Sequence, residues 1–221
     1  MFTGSQWNVI VGAGGVVASS GSLVESGTAV VVPPALTGEG YALGVRGVSN
    51  LTGDDFTAMA CFAVEASDAA RHVFSRTNGG TGIQIAVLAD GTVQGRVSST
   101  RGSWGVNLRS VLRVDDSRWH SVAVTGDKNW LGAYTLTLWI DGVRQAVRSF
   151  DPGLFGVRPD FSMSTDFYAV GSEQWRFTGA WAGSALWSSA LSESQLRAEF
   201  AALPDSPASF KKLRYGWGII L

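Results

Sequence analysis

Charge is scarce in this chain. Only 16% of its 221 residues are Asp, Glu, Lys or Arg, and the formal net charge is −1. That supply makes no basic face for nucleic acid and no polybasic segment for anionic lipid. Cysteine is nearly missing. Cys61 stands alone, so no intrachain disulfide can form. Its place in the apolar run from Met59 to Val64 marks a small buried hydrophobe rather than a reactive thiol. No run approaches the roughly 20 apolar residues of a membrane-spanning helix. The opening stretch, MFTGSQWNVIVGAGGVVASS, has no Lys or Arg ahead of its apolar part, so it does not read as a secretory signal. The expectation is a chain made in the cytoplasm, without a membrane anchor.

What is present points to one domain with a substantial core: 45% of residues are hydrophobic, with 28 Gly and 9 Trp. Residues 1–38 are mostly Gly, Ala, Ser and Val and read as an N-terminal arm or accessory hairpin. Short strands are expected from Val9 to Val11 and from Ala29 to Val32, the second ended by Pro33-Pro34. The GAGG at Gly12–Gly15 lacks both the Lys-Ser/Thr of a phosphate loop and the downstream acid of a dinucleotide fold, so it is a turn.

From Tyr41 the pattern is strand, turn, strand. Phe56 to Val64 is apolar throughout and suits a strand covered on both faces. Ile83 to Ala89 and Thr92 to Val97 flank Asp90-Gly91, a tight hairpin. The segment from Asp115 to Val143 is the most telling. In it, Trp119 to Thr125 alternates, and Tyr134, Leu136, Leu138 and Ile140 line one strand face with Thr135, Thr137 and Trp139 on the other. Asp141-Gly142 then turns the chain into Val143 to Phe150. Ser192 and Gln195 form a capping box, with Leu191 and Leu196 as its hydrophobic staple, so one short helix begins there and stops at Pro204. Many short strands with a single helix predict an all-β, antiparallel β-sandwich over residues 39–203, followed by a C-terminal arm over 204–221.

Four segments in order resemble the laminin-G-like, or concanavalin A-like, jelly-roll family over about residues 41–203. They are Phe56-Thr-Ala-Met-Ala-Cys-Phe62, the Ile83–Gly91 hairpin, Arg118-Trp-His-Ser-Val-Ala-Val-Thr125 with Leu136-Thr-Leu-Trp-Ile-Asp-Gly-Val143, and Phe177-Thr-Gly through Ala190-Leu-Ser192. The resemblance implies two curved antiparallel sheets and a function in binding glycans or proteins. Some members bind through calcium, and some relatives hydrolyse polysaccharide. Gly82 stands where many laminin-G members have a calcium-binding Asp, and Ala180-Trp-Ala-Gly183 lacks the acid often found in the closing strand. Both departures argue against a metal site.

The residues supply little chemistry. A retaining glycosidase needs two carboxyls about 5–5.5 Å apart on one strand face. Here Asp54-Asp55 and Asp115-Asp116 are adjacent pairs at turns, and Glu173 stands alone. His120 shares a face with Val122 and Val124 and is matched to no nucleophile, so it reads as a core or strand-end histidine. The spacings of His72, His120 and Cys61 fit no zinc pattern. No catalytic, cofactor-binding or metal residue is assigned, and calcium from loop carbonyls with Asp127, Asp160 or Asp166 stays open.

The tryptophans are the better lead. Trp119 and Trp187 lie in strand patterns and belong to the core. Trp104, Trp130 and Trp175 lie in or beside loops, where a large ring suits a sugar face or a partner protein. The expected function is a non-enzymatic structural or interaction protein, a bacteriophage virion component such as a head decoration, tail or fibre protein. Its assembly contacts with other virion proteins and with its own copies would be Trp7, Val9 and Val11 in one arm, and Tyr215, Trp217, Ile219, Ile220 and Leu221 in the other. The alternative is a carbohydrate-binding module that holds cell-surface glycan through its loop tryptophans.

Overall fold

Apolar–polar alternation, interrupted by Asp-Gly and Asn-containing turns, sets the strands. A computed structural model describes residues 6–10, 30–32, 42–46, 55–78, 81–98, 105–150, 167–171, 177–187 and 189–201. Within them run β1 (Gln6–Ile10), β2 (Val30–Val32), β3 (Ala42–Arg46), β4 (Phe56–Ala63), β5 (Arg71–Asn78), β6 (Thr81–Val87) and β7 (Thr92–Ser98). They continue as β8 (Gly105–Arg113), β9 (His120–Lys128), β10 (Tyr134–Ile140), β11 (Val143–Phe150), β12 (Phe167–Val170), β13 (Gly179–Trp187) and the helix α1 (Glu193–Ala201).

The strands make two antiparallel sheets. One has seven strands in the order β1-β3-β12-β5-β6-β7-β8; the other has six, in the order β11-β10-β9-β4-β13-β2. The N-terminal strands do not pair with one another as a hairpin would. β1 adds to β3 at the edge of the first sheet, with Trp7 opposite Val45 and Val9 opposite Leu43. β2 adds to β13 at the edge of the second. Val11, Trp104, Trp175, Tyr215, Trp217, Ile219, Ile220 and Leu221 lie outside the described residues.

The core forms where the two inner faces meet. Ile83, Ile85 and Val87 of β6 pair across with Val97, Gly95 and Val93 of β7. These residues pack with Phe56, Phe62, Val122, Val124, Leu136 and Leu138 from the opposite sheet. Gly95 is required by that approach, because a Cβ there would lie 2.6 Å from Cγ2 of Val124.

The six-stranded sheet is also covered on its outer face. Met59 and Cys61 of β4, Ala123 of β9 and Leu196 of α1 form a second apolar cluster, with Trp119, Trp139, Trp187 and Leu191 packed against it. This sandwiching explains why every residue of β4 is buried. Thr57 pins the approach to the helix: its Oγ1 donates to the Ser189 carbonyl at 2.8 Å and accepts from the Leu191 N–H at 2.9 Å. The capping box forms as expected. Ser192 N–H donates to Gln195 Oε1 at 2.9 Å, and Gln195 N–H donates to Ser192 Oγ at 3.4 Å.

β8 is the element that the sequence pattern leaves unannounced. Val106, Leu108 and Ser110 do alternate, but the period breaks where a bulge shifts the pairing between Thr92 and Gln94. Ser110 Oγ fills that bulge, accepting from Val93 N–H and donating to the Leu112 carbonyl.

Candidate functional site

The connection between β9 and β10 is shorter than the Asp127–Ala133 loop expected from sequence. Asp127 and Lys128 still pair in the ladder, opposite Thr135 and Tyr134. Lys128 N–H is further fixed by Asp55 Oδ1 at 2.8 Å. What remains is a tight turn built around Asn129. Its side-chain oxygen accepts from the backbone N–H of Leu131 at 2.9 Å and of Ala133 at 3.0 Å. Its backbone carbonyl accepts from Gly132 N–H, while its own N–H donates to the Ala133 carbonyl. Gly132 closes the turn at φ 92°, a conformation that disfavours any side chain.

That scaffold presents Trp130 outward. The residue is 91% exposed, and Leu131 beside it is 68% exposed. The turn is held by hydrogen bonds at each end, so the ring is displayed from a defined backbone rather than a slack one. The other tryptophans with described side chains behave differently. Trp119, Trp139 and Trp187 are partly buried against the outer cluster, and Trp139 Nε1 donates to Thr125 Oγ1 at 3.1 Å.

His120 begins β9 and sits between two carboxylates. Nδ1 meets Asp141 Oδ2 at 2.7 Å, and Nε2 meets Asp116 Oδ1 at 3.0 Å. Asp141 also accepts Ser121 N–H through Oδ1 at 2.8 Å, which locks the β10–β11 turn to the start of β9. Burial opposes the imidazolium, but hydrogen bonds and charge from Asp141 and Asp116 outweigh it and raise the His120 pKa. With both nitrogens engaged, neither is left to take a proton from a hydroxyl or thiol. The imidazole also stands between Asp116 and Asp141, where a glycosidic bond or attacking water would have to lie. The trio is a clasp that ties the β8–β9 connection and the β10–β11 turn to the start of β9, as a strand-end histidine would suggest.

His72 has the opposite setting. It is buried on β5, and burial pushes its pKa down to about 4. Among the described residues, no group of three or more His, Cys, Asp or Glu side chains converges as a metal site would require.

The fold is shared widely. The binding domain of botulinum neurotoxin serotype D superposes with a TM-score of 0.57 at 13% identity, covering 82% of this chain and 44% of that one. The CBM40 of a Ruminococcus gnavus IT-sialidase, bound to α2,3-sialyllactose, gives 0.55 at 17% identity, covering 80% of this chain and all of that one. A botulinum neurotoxin DC binding domain in complex with rat synaptotagmin II gives 0.56 at 10% identity, covering 89% and 51%. The chain therefore spans only about half the length of the toxin domains it resembles. At such identities the likeness speaks for the fold alone. No curated protein matches the chain in sequence. Residues 36–197 match the family model described as the concanavalin A-like lectin/glucanases superfamily. This chain is a lectin-like jelly-roll domain, and it belongs to that superfamily.

Proposed function

We propose that this chain is a non-enzymatic recognition domain of a bacteriophage virion, and that its Trp130 turn holds a glycan. One observation carries the glycan reading: a tryptophan, Trp130, 91% exposed on a turn tied by Asn129. A ring displayed in that way loses little freedom on binding and offers a flat apolar face to the C–H face of a sugar. The family supports this direction, since a carbohydrate-binding relative of the same fold carries sialyllactose. The non-enzymatic reading draws on His120, whose nitrogens are both committed to carboxylates.

The test is glycan binding by the full chain, on an array and then by calorimetry. Saturable binding is expected, and Trp130→Ala should weaken it by about 2 kcal/mol, roughly thirtyfold, with an unchanged thermal midpoint. An array left blank at high protein concentration overturns the reading. The virion setting is supported by the low-charge sequence of residues 1–38 and the apolar Trp217-Gly-Ile-Ile-Leu221 segment, which suit contacts within an assembly. Imaging of native particles should find this sandwich at regular positions beside other copies. Recovery of the chain only as a free monomer would end that part of the proposal.

A further inference from the structure

Strand order leaves two edges on the same side of the sandwich. β8 ends the seven-stranded sheet, and β11 ends the six-stranded one. The two lie together: Leu112 N–H donates to Gln145 Oε1 at 3.4 Å, and Gln145 Nε2 donates to the Val143 carbonyl at 3.4 Å. Apart from Trp130 and Leu131, the large apolar residues exposed among the described ones are Val111, Leu112, Val143 and Val147. All of them belong to these two strands. An apolar sheet edge invites another strand, since its unpaired backbone N–H and C=O groups point away from the sheet.

The edges differ in how well they could accept one. β8 is broken by the bulge opposite Thr92–Gln94, where Ser110 Oγ donates to the Leu112 carbonyl of its own strand. β11 runs in unbroken register from Ala146 to Phe150, against Leu138 to Tyr134. Within that run Val147 stands opposite Thr137 and Arg148 opposite Leu136, so the two point to different faces. Charge is uneven as well. β8, β10 and β11 contain Arg109, Arg113, Arg144 and Arg148, and no Asp or Glu. Arg109 and Arg113 are matched by Asp90 and Asp115. Arg144 and Arg148 are exposed, and no hydrogen bond or ion pair among the described residues holds either.

We propose that the free edge of β11 takes an extended segment of a partner protein, with alternating acidic and apolar residues, as an additional strand of its sheet. Backbone pairing supplies affinity, an apolar side chain beside Val147 covers it, and carboxylates beside Arg144 and Arg148 supply selectivity. Leu112, tied to Gln145, extends the apolar surface from the other sheet. A second copy of β11 fits worse, because it would bring its own Arg144 and Arg148 to the same edge with no carboxylate between them. The Trp130 turn takes no part, so this edge stands or falls apart from the glycan reading.

The experiment measures fluorescence anisotropy of a labelled peptide alternating Val and Glu, and of one alternating Val and Lys, titrated with the full chain. The Val-Glu peptide should bind saturably, about tenfold more tightly than the Val-Lys peptide, and more weakly as salt rises. Arg144→Glu combined with Arg148→Glu should reverse that order while leaving the thermal midpoint nearly unchanged. Pro-Pro at the centre of the Val-Glu peptide removes donors from both of its edges and should abolish binding. Trp130→Ala should leave peptide binding intact. A preference that survives the double charge reversal overturns the proposal, as does equal binding of the Pro-Pro peptide or no binding of the Val-Glu peptide. A dimer in sedimentation that Val147→Glu dissociates, with neither peptide bound, assigns the edge to a second copy and also overturns it.

Discussion

The two sheets are made from the same kinds of strands, yet they meet their surroundings differently. In the six-stranded sheet, inner residues such as Val122 and Val124 join the core, while Met59, Cys61 and Ala123 lie under α1 and its attendant tryptophans. In β6, β7 and β8 of the seven-stranded sheet, Ile85, Val97 and Leu108 join the core, while Gln84, Arg96 and Asn107 face the other way. A strand covered twice becomes uniformly apolar, as β4 is; a strand covered once alternates, as β7 does. The helix and its tryptophans cover the outer face of the six-stranded sheet, whereas the outward face of β6 to β8 carries Gln84, Arg96 and Asn107.

The sharpest way to break this contrast is to uncover the covered sheet. Leu196→Ala removes the helix residue that is fully buried on that face, and should cost about 2–5 kcal/mol in urea unfolding. Next comes pressure from the other side. Gly95→Val would drive a side chain into Val124, pushing the sheets apart at a cost of about 1–3 kcal/mol by the same measurement. Ser192→Ala loosens the cover without removing it, since the capping oxygen goes but Leu196 stays; the expected loss is about 1 kcal/mol.

The two histidines contrast the sheets by pH. The raised pKa of His120 means that the folded chain holds its proton more tightly than the unfolded chain does. Its contribution is complete below about 6.5 and fades as pH rises through the raised value. His72, held down to about 4, acts in the other direction: stability falls as pH drops from about 6.5 towards 4. Urea midpoints followed across pH should therefore flatten on the alkaline side in His120→Gln and on the acidic side in His72→Gln. Unchanged profiles would detach these residues from the stability of their sheets. The smallest stability effect belongs to the outward face of β7, where Arg96→Gln should shift unfolding by no more than about 0.5 kcal/mol.

Much of the architecture was legible because it depends on local period. Tyr134, Leu136, Leu138 and Ile140 do line the core, and Thr137 and Trp139 face away from it. The Ser192–Gln195 box and the Asp90-Gly91 and Asp141-Gly142 turns stand where their chemistry requires. β8 is not legible in the sequence because its bulge disrupts that period. The candidate sites were legible only in part. Trp130 could be assigned to a loop, but its exposure depends on Asn129 closing the turn around it. The clasp of Asp116, His120 and Asp141 joins residues 4 and 21 positions apart, and only the docking of a hairpin against a turn brings them together.

The sequence by itself determined the strands, their turns, the capped helix and the scarcity of charge. These follow from side-chain period, backbone preference and composition, which need no distant partner. Tertiary structure alone decided which sheet is covered twice, how tightly Trp130 is displayed, and that Arg96 lies between Gln84 and Asn107 in register. Those properties arise from register and packing, which bring residues together irrespective of their distance along the chain.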